Sequence, residues 1–207
     1  MLTVTRTTNE SKIQVTLDPA GLEKEYKKNL TTPCAMLSHM LEHLSYRSGV
    51  GIKVTCEYEG FVLSHVLFED LGITVGRAFA ELLERLVEQG CYGYGDAVGI
   101  IDEAFVQAAV SFESRSLLML DDSQIVMPAA CEDAKSEDLA TFLDGFCQGA
   151  RCTLHVVIKH GVNAHHIWEA VYRAVGTCLE HALSLNPARA GKTSGVAGKI
   201  KFEVTEE

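Results

Sequence analysis

The stretch His65-Val66-Leu67-Phe68-Glu69-Asp70-Leu71-Gly72-Ile73-Thr74-Val75-Gly76 is echoed one hundred residues later by His165-His166-Ile167-Trp168-Glu169-Ala170-Val171-Tyr172-Arg173-Ala174-Val175-Gly176. His65 matches His165, Glu69 matches Glu169, and Gly76 matches Gly176. Each His-x-x-x-Glu follows an alternating stretch and opens a long helical pattern, so both read as strand, short turn, helix. This shared context favours duplication. The expected fold is α+β: two fused, similar βαβα-type halves with helices packed on mixed sheets. The expected divisions are 1–93 and 94–190, with a C-terminal tail over 191–207.

Working outward, Lys12 to Leu17 and Val50 to Tyr58 alternate and predict strands. Met36 to Tyr46 places Met36, Leu37, Met40, Leu41 and Leu44 at helical spacing. Leu22 to Thr32 has no clear face and reads as a loop. Ser64 to Glu88 predicts a helix stopped by Gly90. In the second half, Phe105 to Leu120 predicts a strand, Asp138 to Cys147 a helix, Cys152 to Lys159 a strand and Ala164 to Leu183 a long helix. Ile200 to Val204 alternates and predicts a final strand.

The chain has 207 residues, 47% of them hydrophobic, and a formal net charge of −10. Such a chain can bury a core without disulfides or a structural metal. The charge argues against a sequence-independent grip on nucleic acid, which needs clustered Lys and Arg. No apolar run approaches the roughly 18–20 residues of a membrane span. The opening Met1-Leu2-Thr3-Val4-Thr5-Arg6 lacks a signal-peptide layout. Seven cysteines with no Cys-x-x-Cys spacing read as buried free thiols of a cytoplasmic protein.

Residues i and i+4 share a helix face, so each motif presents an imidazole and a carboxylate together. His166 adjoins the second motif, and His39 with His43 forms a third such pair. Neutral imidazole plus carboxylate suits a divalent transition metal. A single His-x-x-x-Glu on a surface helix is ordinarily a solvated pair, and the repetition is what weighs toward metal. His43 reads as helix surface or as a support behind the ligands. His155, His160 and His181 read as ordinary positions, and Trp168 as core.

At these residues the chain resembles the imidazoleglycerol-phosphate dehydratase family of histidine biosynthesis. Arg6-x-Thr8-x-Glu10-Ser11 resembles the family's Arg-x-Thr-x-Glu-Thr, and Leu37-Ser38-His39-Met40-Leu41 its Leu-Asp-His-Met-Leu. His65 to Ile73 resembles His-His-Thr-Val-Glu-Asp-x-Gly-Ile, and Asp102-Glu103-Ala104 the Met-Asp-Glu-Ala segment. Gly161 to Ala170 resembles Gly-Arg-Asn-Asp-His-His-x-x-Glu-Ala. The resemblance implies two fused copies of a ribosomal-protein-like α+β unit, assembled as a large homo-oligomer, typically of 24 subunits. It implies two Mn²⁺ ions at subunit interfaces and a phosphorylated imidazole substrate that bridges them as imidazolate. Water is then lost through a diazafulvene-like intermediate. Carried over by position, His39, His65, Glu69, His165, His166 and Glu169 are the metal ligands. Glu10 and Glu169 are the catalytic carboxylates, and Arg115, with Lys192 and Lys199, holds phosphate.

The chain departs from that pattern at several ligands. Val66 stands where the family has a second histidine, and Thr141 where it has one on the second-half helix. Gly93 replaces an arginine, Arg47 a histidine, and Gly195-Val196-Ala197-Gly198 the family's Ser-Thr-Lys-Gly. His43 or Cys147 is the candidate substitute ligand. Three readings follow: a metal-dependent hydro-lyase; a diverged paralogue with part of the metal site and another substrate; or a non-catalytic assembly subunit. Arg115 paired with Glu113, Glu10 as a solvated strand start, and Arg47 as a helix-end cation are the plain alternatives at single positions.

Overall fold

The computed structural model describes residues 1–201 and 203–205. Its first unit comprises β1 (Leu2–Thr7), β2 (Ser11–Asp18), a 3-10 turn (Tyr26–Leu30), α1 (Ala35–Ser48), β3 (Gly51–Tyr58) and α2 (Ser64–Leu86). The second comprises β4 (Tyr94–Ile101), β5 (Ala104–Ser111), β6 (Leu117–Asp121), the short strands β7 (Ala130–Cys131) and β8 (Ala134–Lys135), α3 (Ser136–Ala150), β9 (Thr153–His160) and α4 (Ala164–Leu183). The order of elements thus repeats, with β6 and the β7–β8 hairpin added in the second unit.

The first sheet is antiparallel in the order β1-β2-β3. Its register sets Val15 opposite Val54 and Leu17 opposite Ile52, and all four are buried. The second sheet has the order β4-β5-β9-β6, with β6 parallel to β9 and the other pairs antiparallel. Helix α2 lies on β1 and β2, and α4 lies on β4 and β5. The two units meet through their helices: α1 packs on α4, and α2 on α3. One continuous apolar core therefore runs through both units.

The two helix pairs approach each other differently. Between α2 and α3 the contact is backbone to backbone. A Cβ on Gly76 would stand 2.1 Å from the Phe146 carbonyl oxygen, and one on Gly149 would stand 1.9 Å from that of Ile73. Gly72 and Gly145 make the same kind of approach. Between α1 and α4 only Gly176 is involved, and a Cβ there would meet chiefly the Arg47 Cβ, at 2.6 Å. This second crossing leaves room for side chains, and the histidines occupy it.

Helix α1 has no cap of its own, because Cys34 precedes it without a capping side-chain bond. The cap comes from the β7–β8 turn. Asp133 accepts from the Ala35 N–H at 2.6 Å and the Met36 N–H at 2.8 Å. Burial works to raise the Asp133 carboxyl, but the Met36 and Ala35 amides and the Cys34 thiol outweigh it, so its pKa lies below the ordinary value. A depressed carboxylate stabilises the fold above its unfolded pKa, and that contribution is lost as pH falls through the folded value. Asp133→Asn is expected to lower stability by about 1 kcal/mol at neutral pH, because the amide removes the negative charge at the start of α1 and one of the two oxygens that accept from Ala35 and Met36. In denaturant titrations the gap between variant and wild type should close below about pH 4, near the unfolded carboxyl value.

Three sequence expectations need correction. Phe105 to Leu120 is two strands, β5 and β6, on opposite sides of β9; the chain turns between them at Ser114, whose φ is +63°. The loop expected over Leu22 to Thr32 contains the 3-10 turn, which inserts Leu30 into the core. Ile200, Lys201, Glu203 and Val204 form no strand, while Phe202 lies outside the described residues. The tail there follows no strand edge, and Lys199 ties it to Glu84 at 2.6 Å. Strands β1 and β4 and the short β7–β8 hairpin were not foreseen. In β4 the inward positions include Gly95 and Gly99, and α4 lies directly on their backbone. The apolar residues Val98 and Ile100 face outward, so the pattern that marks a half-buried strand is inverted.

Candidate metal centre

Asn163 starts α4 and aims its first residues. Its side chain accepts from the His165 N–H at 2.8 Å and the His166 N–H at 3.4 Å, an N-terminal cap. Consecutive helix residues point about 100° apart. His165 consequently turns toward α1, and His166 toward the β4–β5 turn.

On the α1 side a cluster forms around Glu169. His165 Nε2 lies 3.2 Å from Glu169 Oε2, and His39 Nε2 lies 3.5 Å from the same oxygen. Each imidazole has a carboxylate on its other nitrogen: Glu42 at 3.3 Å from His39 Nδ1 and Glu132 at 3.3 Å from His165 Nδ1. Such outer carboxylates fix the tautomer and turn Nε2 inward, as metal-ligating histidines require. Donor atoms of His39, His165 and Glu169 all lie within 4.8 Å of one another. Among the described residues they are the one His/Cys/Asp/Glu group with that spacing. Neighbouring donors on a cation bound at about 2.0–2.2 Å stand about 3.0–3.5 Å apart, so these residues fit a divalent ion.

Glu169 is only 5% exposed. Burial works to raise its pKa, but His43, Arg173 and His39 outweigh that and hold it below the ordinary value. Arg173, one turn along α4, is ion-paired with Glu169 Oε1 and donates to the Ile100 carbonyl at 2.9 Å. Sequence reasoning missed Arg173, although its i,i+4 spacing from Glu169 was a visible signal.

The other expected ligands stand apart from this cluster. His65 pairs with Glu69 at 3.1 Å on an exposed turn of α2. Thr141, on the partner helix α3, donates its hydroxyl to the Glu137 carbonyl instead. His166 Nδ1 lies 2.8 Å from Glu103 Oε2, while Glu103 Oε1 accepts from the Val162 and Asn163 amides. The Asn163 amide and then His166 pull the Glu103 carboxyl down to about 2. Glu103 thus braces both the start of α4 and the His166 ring.

Glu10 is exposed in the β1–β2 turn, where its N–H donates to Thr8 Oγ1 at 3.1 Å. The next residue, Ser11, donates to Asp70 at 2.5 Å, and Arg6 pairs with Asp70 at 2.7 Å. The opening motif therefore clamps the residue that follows Glu69. Trp168 is buried, with its indole N–H donating to Ser136 at 2.9 Å.

Arg115 and Lys199 line a cavity of about 290 Å³ at the far ends of α2 and α3, and no histidine lines it. Arg77 and Arg151, not singled out in the sequence, also line it, with Glu84 and Glu113 as the opposing charges. Lys192 lies outside it and donates to the Ala188 carbonyl at 3.1 Å. Glu113 accepts from the Ser111 hydroxyl rather than from Arg115. At Gly93, φ +63°, a Cβ would fall 1.6 Å from Ser194 Oγ. The tail thus fills the space an arginine side chain would leave by.

Fold and cluster together define a class: a duplicated α+β protein whose paired helices assemble an imidazole–carboxylate centre. A family model described as imidazoleglycerol-phosphate dehydratase matches residues 32–179, and the chain belongs to that family. It is 32% identical over 198 residues to the imidazoleglycerol-phosphate dehydratase of Ralstonia nicotianae, covering 95% of this chain and 97% of the relative. It is 32% identical to that of Bacillus velezensis over 194 residues, covering 91% and 94%. Among solved structures, the crystal structure of IGPD from Pyrococcus furiosus in complex aligns with a TM-score of 0.77 at 28% identity, covering 95% of this chain and all of that one. The Staphylococcus aureus enzyme, at 22% identity and a TM-score of 0.71, shares the fold.

Proposed function

We propose that this chain is a metal-dependent hydro-lyase of histidine biosynthesis that dehydrates imidazoleglycerol phosphate. The observation that carries the reading is the convergence of His39, His165 and Glu169 on one point. Those three residues would hold the cation, taken as Mn²⁺, and His65, Glu69 and His166 would serve a second site. A bound divalent cation supplies Lewis-acid stabilisation of negative charge developing on the imidazole ring. Glu169, kept ionised by its neighbours, would orient that ring and take up a proton, with Glu10 as the second carboxylate. Arg115 and Lys199, joined by Arg77 and Arg151, would hold the phosphate, for which guanidinium forks are well suited.

Within one chain the histidine cluster and the cationic cavity share no residue. A substrate with an imidazole at one end and a phosphate at the other therefore calls for a second copy, and a homo-oligomer, of 24 subunits by resemblance, would bring the two together. The seven free thiols, six of them buried, support a cytoplasmic setting. Among the described residues no helix is long and apolar enough to cross a membrane.

A steady-state assay for imidazoleacetol phosphate with added Mn²⁺ tests this reading. Turnover is expected, and its absence at millimolar substrate would sink the dehydratase. The second reading, a paralogue with one metal and another substrate, is favoured by Thr141 and by the filled space at Gly93. Metal analysis separates the two: two equivalents per chain favour the dehydratase, and one favours the paralogue.

A further inference from the structure

We propose that Glu132 is a positioning residue of the metal centre: held in a strained hairpin turn between α1 and α4, it sets the His165 imidazole for the cation. The inference rests on the metal-binding reading above and names a residue that serves that site without touching the ion.

The two imidazoles of the centre receive their outer carboxylates from different sources. His39 takes Glu42, three residues along its own helix, so ordinary helical spacing supplies that contact. His165 takes Glu132, which stands 33 positions earlier in the chain. Helical spacing cannot supply this second carboxylate, and a turn has to bring it there.

The turn is firmly seated. Ala130–Cys131 and Ala134–Lys135 pair as β7 and β8, which leaves Glu132 and Asp133 as a two-residue loop. Cys131 and Ala134 on either side are buried, and the Ser136 N–H donates to the Ala129 carbonyl at 3.0 Å, closing the base of the hairpin. The Trp168 indole N–H reaches Ser136 from α4 at 2.9 Å, so the hairpin rests on the helix that carries His165. From this seat the loop reaches both ways. Asp133 accepts from the Ala35 and Met36 amides at the start of α1, one turn before His39. Glu132 reaches the His165 ring on α4. The two imidazoles held in this way have ring centroids 5.2 Å apart. The first unit has no such hairpin among the described residues, and its His65 pairs with Glu69 of its own helix on an exposed turn.

The backbone supplies an independent sign. Glu132 has a φ of +52°, in the left-handed region. A two-residue hairpin loop with positive φ at its first position ordinarily carries glycine there. Glutamate in that conformation is strained by its Cβ. In exchange its carboxylate makes a contact that glycine could not, the one to His165. Strained residues of this kind concentrate at functional sites.

Two variants of the full-length protein test the role, by titration calorimetry with Mn²⁺ after chelator treatment and by thermal unfolding without metal. Glu132→Gln keeps the side-chain length and the strained backbone but removes the charge. Its manganese affinity is expected to fall about 10- to 100-fold, the range for partners behind a ligating histidine. Glu132→Gly is expected to lose as much affinity while the metal-free protein melts no lower than the wild type, because glycine adopts that φ without strain. A turn with a purely structural role would not let affinity fall while stability holds. Unchanged affinity in Glu132→Gln, or a Glu132→Gly protein whose melting temperature falls along with its affinity, overturns the proposal and leaves the dehydratase reading standing. No manganese bound by the wild type removes both.

Discussion

Gly76→Val is expected to lose at least about 4 kcal/mol of stability, a loss on the scale of large core disruptions. The β-carbon would fall 2.1 Å from the Phe146 carbonyl oxygen and 2.8 Å from the Ala150 nitrogen. Both are backbone atoms of a helix, so no rotamer change relieves the contact. Helices α2 and α3 would have to separate along the whole line set by Gly72, Gly76, Gly145 and Gly149. That separation would open the packing of Phe79 against Phe146, whose rings now lie 5.9 Å apart. Against a total stability of about 5–15 kcal/mol, many chains would not survive the loss. Thermal unfolding should drop by at least about 10 °C, or the protein should fail to accumulate in soluble form. Gly60→Asn is the control, because nothing lies within 4 Å of a Cβ there and asparagine tolerates its φ of +84°. A Gly76→Val protein that melts like the wild type would show that the helices are not in backbone contact.

Glu169→Gln is expected to abolish turnover and to weaken Mn²⁺ binding more than about 100-fold, beyond the loss typical of residues that only support a ligand. The amide has nearly the shape of the carboxylate, so the fold should persist. It lacks the negative charge, however, and it replaces one acceptor oxygen with a donor. The cluster around it contains the Nε2 atoms of His39, His43 and His165 and the guanidinium of Arg173, all facing that carboxylate. With the charge removed, Arg173 loses its ion-pair partner and a dication meets only neutral ligands. Titration calorimetry with Mn²⁺, alongside circular dichroism to confirm folding, measures the effect. Retained manganese affinity in Glu169→Gln would move the metal away from this carboxylate altogether.

Much of this site could be read in the linear chain because its parts are local. The period of Ala164 to Leu183 marks α4, and Asn163 marks its start. Helical geometry then places His165 and Glu169 on one face without any tertiary information. His39 and His43 follow in the same way on α1. The reading failed where burial reverses the usual code. In β4 the core-facing places belong to Gly95 and Gly99, since α4 approaches too closely for side chains, and no alternation remains to be seen. It also failed at Arg77 and Arg151, which acquire meaning only because the ends of α2 and α3 share a cavity with Arg115.

By itself the sequence determined which residues form helices, which helix faces carry imidazole and carboxylate, and the doubled architecture, because these depend on spacing along a few turns. Only the tertiary structure decided that α1 meets α4 across side chains while α2 meets α3 across glycines. That choice gathers His39, His43, His165 and Glu169 and leaves His65 with Glu69 at the surface. The physical reason is distance between backbones: where glycines let helices touch there is no room for an imidazole, and where side chains hold them apart there is.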